Sequence, residues 1–373
     1  MKKAVLLYTV LFFLGSCRQS YDPPQVNANK NFLVVNGFIN STPNGITTIY
    51  LSRSKNISDS LPAPAENGAQ VSVESNVGQS YLLIPQTNGG YAAAIPIQPS
   101  ILYRLRILTQ NGTQYLSDYV AARITPPVDS LTWDQPNDAL VFVSTHDPAN
   151  NSKYYRYDYT ETWEYHAAFE TIWGVDSNKI LFARDTSNQI FRCWSTDNST
   201  DIATATSIKL NQDIINHFQV ARIPQNSSKI AVRYSILVNQ YSITKDAYDF
   251  WQILQKNTQQ VGTLFDPQPS QIKSNIHNIN NLQEPVLGYL SVTSVEQKRL
   301  FINHYQLTNW AINSPSTPGC QKDSILINFP HYTYPNPYFV PYYFVSGGPL
   351  YVIPAPCVDC TIHGGTNKEP SYW

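Results

Sequence analysis

The sequence predicts a mainly β fold: two tandem β-sandwiches, the first of immunoglobulin or transthyretin type and the second fibronectin-III-like, with one inserted helix and a Pro/Tyr-rich C-terminal wrap. Three observations lead there. Short apolar/polar alternations with period two recur along the chain, separated by turn residues at the roughly 8–12-residue spacing of a sandwich. Only one stretch, near residues 245–261, carries a helical period. Aromatic residues make up 13% of the 373 positions, with 25 Tyr, 15 Phe and 7 Trp, ample for two cores.

The first thirty residues are read as an address and a tether. Met1-Lys2-Lys3 is followed by an apolar run from Ala4 to Leu14, too short to span a bilayer but of the size of a signal-peptide core. The run closes on Leu14-Gly15-Ser16-Cys17, which looks like a bacterial lipobox, so residues 1–16 are expected to be removed and Cys17 to carry lipid. Three acyl chains exceed the two that stable anchoring needs. Residues 17–30 are polar and contain Pro23-Pro24, the composition of a flexible linker. The predicted location is the outer membrane, lipid-anchored. Asp22 is the single acid soon after Cys17, which leaves both faces of that membrane open.

Residues 31–125 form the first predicted sandwich. Phe32 to Ile39, Ile46 to Leu51 and Ala69 to Glu74 alternate apolar and polar groups; Tyr81 to Ile84, Tyr91 to Ala93, Tyr103 to Ile107 and Gln114 to Ser117 complete about seven strands. Asn111-Gly112 between the last two is a strong hairpin signal. Pro126-Pro127 then marks a boundary, since neighbouring prolines stop strand pairing.

Residues 126–312 form the second β-rich domain. Val128 to Trp133, Leu140 to Thr145 and the long run Tyr154 to Glu164 read as strands, the last with its apolar stripe inward and its charged or hydroxyl groups outward. Later strands are expected at Ile180 to Phe182, Ile190 to Trp194, Lys229 to Val238 and Val286 to Val292. The helix is expected between the last two, capped by Thr244, with Ala247, Tyr248, Trp251, Ile253 and Leu254 as its apolar stripe and Ile243 stapled onto Tyr248.

The segment 313–373 differs in kind. Ten prolines from Pro315 to Pro370 alternate with Tyr332, Tyr334, Tyr338, Phe339, Tyr342, Tyr343 and Phe344. Regular sheet does not accommodate prolines at that density, so this segment is expected to wrap the surface as extended strand and loop, pinned by its cysteines. Its rings serve either as a recognition surface or as packing against the second domain.

Five cysteines less Cys17 leave Cys193, Cys320, Cys357 and Cys360, an even number that reads as two disulfides in an oxidising compartment. A bond inside Cys357-Val358-Asp359-Cys360 would close a tight ring, so longer pairs are expected, with Cys320 meeting one of these two. A zinc site from Cys320, Cys357, Cys360 and His363 is the competing reading, weakened by its spacing and compartment.

Charge excludes one function class. Lys+Arg total 25 and Asp+Glu 26, charged residues are only 14%, and no basic field for nucleic acid exists. Uncharged polar groups replace them, with 32 Asn and plentiful Ser, Thr and Gln. No GxSxG, HExxH, P-loop or dinucleotide fingerprint is present. His146-Asp147 is expected to cap a turn. Glu161 and Glu164, at odd spacing, fall on opposite strand faces and make no acid/base pair. Asp197, Asn198, Asp201 and Asp213 lack EF-hand spacing. No catalytic, cofactor or metal residue is predicted, and the chain reads as a non-enzyme.

Taken in order, several landmarks resemble a known family: Leu33-Val34-Val35-Asn36-Gly37, Leu51-Ser52-Arg53-Ser54, Gly68-Ala69-Gln70-Val71, Thr125-Pro126-Pro127-Val128-Asp129-Ser130, Tyr154-Tyr155-Arg156-Tyr157, Glu161-Thr162-Trp163-Glu164, Gly262-Thr263-Leu264-Phe265-Asp266-Pro267, Val286-Leu287-Gly288-Tyr289, Cys357-Val358-Asp359-Cys360, and Lys368 to Trp373. Together they resemble the domain-of-unknown-function family 4249, lipoproteins of the Bacteroidota, over essentially the whole mature chain. The resemblance implies no activity. It does imply, by association of genes, a TonB-dependent outer-membrane transporter as partner, and hence an accessory binding or assembly role in nutrient uptake. The alternative is a structural or adhesive cell-surface protein.

Overall fold

The computed structural model describes residues 31–55, 59–176, 178, 180–259, 273–311, 320, 325–327, 338–344 and 350–373. The predicted signal peptide, Cys17 and the tether lie outside the described residues, as do residues 260–272 with the Gly262 landmark and most of the prolines and tyrosines between 313 and 337.

Nine strands come first: β1 (Leu33–Asn40), β2 (Ile46–Arg53), β3 (Gln70–Ser75), β4 (Ser80–Leu82), β5 (Ile84–Pro85), β6 (Gly90–Ala94), β7 (Leu102–Leu108), β8 (Gln114–Ser117) and β9 (Val120–Ala121). The middle of the chain adds β10 (Val128–Asp134), β11 (Ala139–Asp147), β12 (Tyr154–His166), β13 (Trp173–Val175), β14 (Leu181–Ala183), β15 (Arg192–Asn198), β16 (Ala203–Thr206), β17 (Asp213–Ile223), β18 (Arg233–Ser242) and helix α1 (Lys245–Gln259). The remainder supplies β19 (Ile276–Asn278), β20 (Val292–Thr293), β21 (Val295–Asn303), β22 (Ile325–Ile327), β23 (Phe339–Phe344) and β24 (Leu350–Pro354).

The fold is mainly β, built from packed sheets. In the first sandwich a sheet ordered β20-β1-β2-β6-β5 faces one ordered β19-β8-β7-β3-β4, with β9 also on β7. The β1/β2 register sets Val35 opposite Leu51, so the alternation read in the sequence sends Leu33, Val35, Ile49 and Leu51 inward. They meet Val71, Val73, Leu105 and Ile107 from the other sheet. Tyr91, Tyr103 and Tyr115 are also fully buried here, and their hydroxyls find partners: Tyr91 donates to the Glu66 carbonyl at 2.9 Å, and Tyr103 accepts from the Gln98 N–H at 2.9 Å. A Tyr-rich core is tolerable on those terms, because each ring buries area while its polar end stays bonded.

This sandwich is completed by residues that the sequence reading assigns to the second domain. β20 pairs parallel to β1, with Ile39 opposite Val292, and β19 pairs antiparallel to β8, with Ile276 opposite Ser117. Residues 126–312 are therefore not one self-contained unit. The sequence reading has no strand at Ile276 to Asn278, and of its strand at Val286 to Val292 only Val292 lies in β20; hydrophobic period is silent about which sheet edge such short pieces close.

In the second sandwich β10-β11-β17 packs on β15-β12-β18-β21, with β16 also on β12. Val141, Val143, Tyr155, Tyr157, Ile236 and Val238 are its centre. Lys229 falls in a single 3-10 turn, Ser228–Ile230, so the strand expected from Lys229 starts at Arg233 instead. The reading of β12 needs a further correction: Glu161 and Glu164, expected to face outward, are 7% and 4% exposed. Each is buried among donors. Glu161 is bonded to the Lys229 ammonium and accepts from the Tyr234 hydroxyl at 2.8 Å. Glu164 accepts from His166 Nε2 at 2.8 Å, Arg192 Nε at 2.9 Å and Trp373 Nε1 at 3.2 Å.

Helix α1 forms where the period predicts it. The Ala247 N–H donates to Thr244 Oγ1 at 3.2 Å, and Ile243, Ala247, Tyr248 and Trp251 pack in one cluster with Tyr241. Its buried side chains are Ala247 and Phe250, so Phe250 takes the central place expected of Ile253 and Leu254. The described part of segment 313–373 contains more regular sheet than expected, ordered β22-β24-β23. Its prolines sit where a missing N–H is tolerated: Pro341 at an irregularity of edge strand β23 and Pro354 at the end of β24.

The boundary at Thr125-Pro126-Pro127 is a buried junction. Thr125 Oγ1 donates to the Ser294 carbonyl at 2.5 Å and accepts from the Ser242 N–H at 2.9 Å, while Gln240 Nε2 donates to the Pro126 carbonyl at 2.7 Å. No helix among the described residues is long and apolar enough to cross a membrane.

Candidate functional site

Of the residues singled out in the sequence, the cysteines are placed most clearly. Cys193 bonds Cys360 and Cys320 bonds Cys357, over sequence separations of 167 and 37. The long-range pairing is as expected, including Cys320 with one cysteine of the Cys357–Cys360 pair. All four described cysteines are thereby oxidised, which removes the thiolates that a zinc site would need, and His363 Nε2 instead lies 3.2 Å from the Pro356 carbonyl. Asp147 caps its turn as read, accepting from the N–H groups of Ala149, Asn151 and Ser152 at 2.8–2.9 Å. His146 turns away to Asp129, 2.7 Å distant, and this carboxylate raises the imidazole pKa. Asp213 is buried and bonded by the Tyr155 and Ser207 hydroxyls, apart from the exposed Asp197. Glu161 and Glu164 sit in separate networks.

A groove that sequence reasoning missed lies at one end of the first sandwich. Its volume is about 770 Å³, and its wall comes from five places in the chain: Asn31 and Phe32 ahead of β1, Arg53 ending β2, Glu66 before β3, Gln110 to Tyr115 at the β7–β8 hairpin, and Glu284 after β19. Roughly 300–1,000 Å³ is the range of small-molecule sites. The register explains the meeting. Leu33 opposite Arg53 and Leu108 opposite Gln114 bring the strand ends to one rim, and β19 on β8 carries the loop with Glu284 to the same rim.

The floor of the groove is a chain of paired polar groups. Arg53 Nε donates to Glu66 Oε2 at 2.5 Å; the Tyr115 hydroxyl donates to Glu284 Oε1 at 2.8 Å, and Asn278 Nδ2 to Glu284 Oε2 at 2.6 Å. Burial acts to lower the Arg53 pKa, but Glu66 and the Tyr115 hydroxyl outweigh it and leave it raised. Burial, then the bond to Glu284, raises Tyr115, so both stay protonated at neutral pH. Asn111 Oδ1 accepts from the Thr113 N–H at 3.1 Å, which fixes the hairpin tip at the mouth. No local motif signals this site, because positions 53, 66, 115 and 284 meet only through sheet register.

A second cluster covers the outer face of β12, β18 and β21. Arg299 stacks 3.7 Å from the Tyr372 ring, Arg233 lies 4.3 Å from Phe301 and 5.2 Å from Trp373, and the Tyr372 hydroxyl is 2.9 Å from Thr162 Oγ1. These described aromatics of the last segment are packing against the second sandwich.

Comparison with known proteins gives one family. The model of a domain of unknown function, DUF4249, matches residues 18–299. The Cys357–Cys360 and Lys368–Trp373 landmarks therefore lie beyond the match. No curated protein sequence matches the chain. Among solved structures, a two fibronectin type-III domain segment from chicken tenascin is similar at 9% identity, covering 73% of this chain and 98% of that one with a TM-score of 0.17.

Proposed function

The chain belongs to the DUF4249 family, a domain of unknown function, and from that premise we propose that it is an outer-membrane-anchored lipoprotein, a non-catalytic accessory module that binds or assembles with a TonB-dependent transporter in nutrient uptake. One observation carries the reading: Leu14-Gly15-Ser16-Cys17 stands ahead of a β fold whose four described cysteines are all in disulfides. Disulfides belong to oxidising compartments, and the lipobox supplies a means of retention there. The uncharged polar surface suits contact with a protein or a neutral ligand, since so few charges must be desolvated.

Two measurements test it. Mass spectrometry of the membrane-extracted protein should find an N-terminal peptide beginning at a lipidated Cys17, and Cys17→Ser should release the protein from the membrane fraction. Extraction in mild detergent should recover a β-barrel transporter with it. A clean monomer under every mild condition, with no transport defect on gene deletion, refutes the partnership; a defect in attachment alone points to the adhesive alternative.

A further inference from the structure

We propose that the groove walled by Arg53, Glu66, Tyr115 and Glu284 binds a neutral polyhydroxylated ligand, an oligosaccharide. The argument is one of exclusion followed by fit. An anion entering the groove meets two carboxylates, Glu66 and Glu284, and a cation meets the Arg53 guanidinium, which is already paired 2.5 Å from Glu66. The net negative lining repels an anion, while the carboxylates that would hold a cation are already engaged, Glu66 by Arg53 and Glu284 by Tyr115 and Asn278. An apolar ligand would strip water from these groups without replacing its hydrogen bonds.

Hydroxyl groups avoid both difficulties, because each donates one bond and accepts up to two. The groove is lined by both acceptors and donors: the carboxylates of Glu66 and Glu284, the Arg53 guanidinium, the amides of Asn31 and Gln110, and the Thr113 hydroxyl. Several of these are planar groups that address two neighbouring hydroxyls at once. Their orientation is set before any ligand arrives. Arg53 is held by Glu66 and by the Asn31 carbonyl at 3.3 Å, and Glu284 by Tyr115 and Asn278. Preorganisation of this kind lowers the ordering cost that weakens the binding of flexible polar ligands. Phe32 adds an apolar ring at the rim.

The inference rests on the reading of the chain as a binding module, but on neither its anchor nor its transporter. The purified mature protein is titrated with maltotriose, cellotriose, xylotriose and mannotriose by saturation-transfer NMR and calorimetry, beside trilysine and inorganic phosphate. At least one trisaccharide should bind. Glu284→Gln and the exposed Gln110→Ala should each weaken it about tenfold, the scale of one lost hydrogen bond to a ligand, while Glu369→Gln, far from the groove, leaves it unchanged. Gln110 lies on a hairpin tip, so this variant keeps the test valid where Glu284→Gln disturbs folding. The proposal falls when no trisaccharide binds up to about 10 mM, a free energy scarcely above noise, when both groove variants bind as the parent does, or when only trilysine or phosphate binds. Loss of transporter co-purification leaves this assay untouched, so the two readings fail separately.

Discussion

Replacing Glu164 with glutamine probes a buried carboxylate of the second sandwich that accepts three side-chain hydrogen bonds. Burial pushes its pKa up, but bonds from His166, Arg192 and Trp373 outweigh that and hold it down to about 2, against an ordinary 4.5. A depression of that size stabilises the folded state by about 3 kcal/mol wherever the acid is ionised in both states. Arg192 is 45% exposed, so its share is screened and a working figure is roughly 2 kcal/mol. The sign follows from the depressed folded value: the stabilisation is complete above pH 4.5 and is lost as pH falls toward 2. Glutamine imitates the protonated acid, so Glu164→Gln should cost roughly 2 kcal/mol at pH 7 and less than half of that near pH 3. Urea midpoints of both proteins at the two pH values, followed by the fluorescence of the nearby tryptophans, measure the difference. A cost that is the same at pH 3 as at pH 7 would show that Glu164 acts by shape alone and refute the electrostatic account.

The disulfide Cys193–Cys360 closes a separation of 167 residues, and the Cys193→Ser/Cys360→Ser pair should lose about 2–5 kcal/mol, read as a lower urea midpoint; an unchanged midpoint would mean the tail is held by its noncovalent contacts. Gly288 has φ +138°, and a Cβ there would sit 2.1 Å from the Val35 carbonyl oxygen. Gly288→Ala should therefore cost at least about 1–3 kcal/mol and speed amide exchange in β1; equal exchange would place the strain elsewhere. His146 has a raised pKa from Asp129, so its contribution is present at low pH and lost as pH rises through the raised value. NMR titration should find His146 above the ordinary histidine value, and Asp129→Asn should bring it back; no change would remove Asp129 as the cause.

Much of the first sandwich is legible because its strands obey a period of two and its turns carry their own chemistry. Gly112 adopts φ +85° in the hairpin that Asn111-Gly112 announces, and the Thr244 cap begins α1 as the sequence suggests. What escapes the sequence is of a different order. Glu161 and Glu164 look solvated by type, yet Lys229, Tyr234, Arg192 and Trp373 come from remote positions to bond them. The groove escapes for the same reason: it exists only once register has aligned the ends of β1, β2, β7 and β8. The landmark glycine in Val286-Leu287-Gly288-Tyr289 was visible as a pattern, but its cause, the approach of one backbone to the Val35 carbonyl, is tertiary.

The return of residues 276–293 to the first sandwich bears on how a tethered protein of this shape would work. Cut at Pro126-Pro127, the first sandwich would lose β20 from the edge of β1 and β19 from the edge of β8, exposing two unpaired strand edges. It would also lose Glu284, and with it one wall of the groove. The junction of Thr125, Ser242 and Ser294 is buried and bonded, so the sandwiches are coupled through hydrogen bonds that a hinge would have to break. The groove also opens beside Asn31 and Phe32, where the predicted tether enters the fold. The residues between Cys17 and Phe32 span at most about 50 Å when fully extended. With Cys17 lipidated, that length keeps the groove close to the membrane surface, within reach of a barrel in the same membrane.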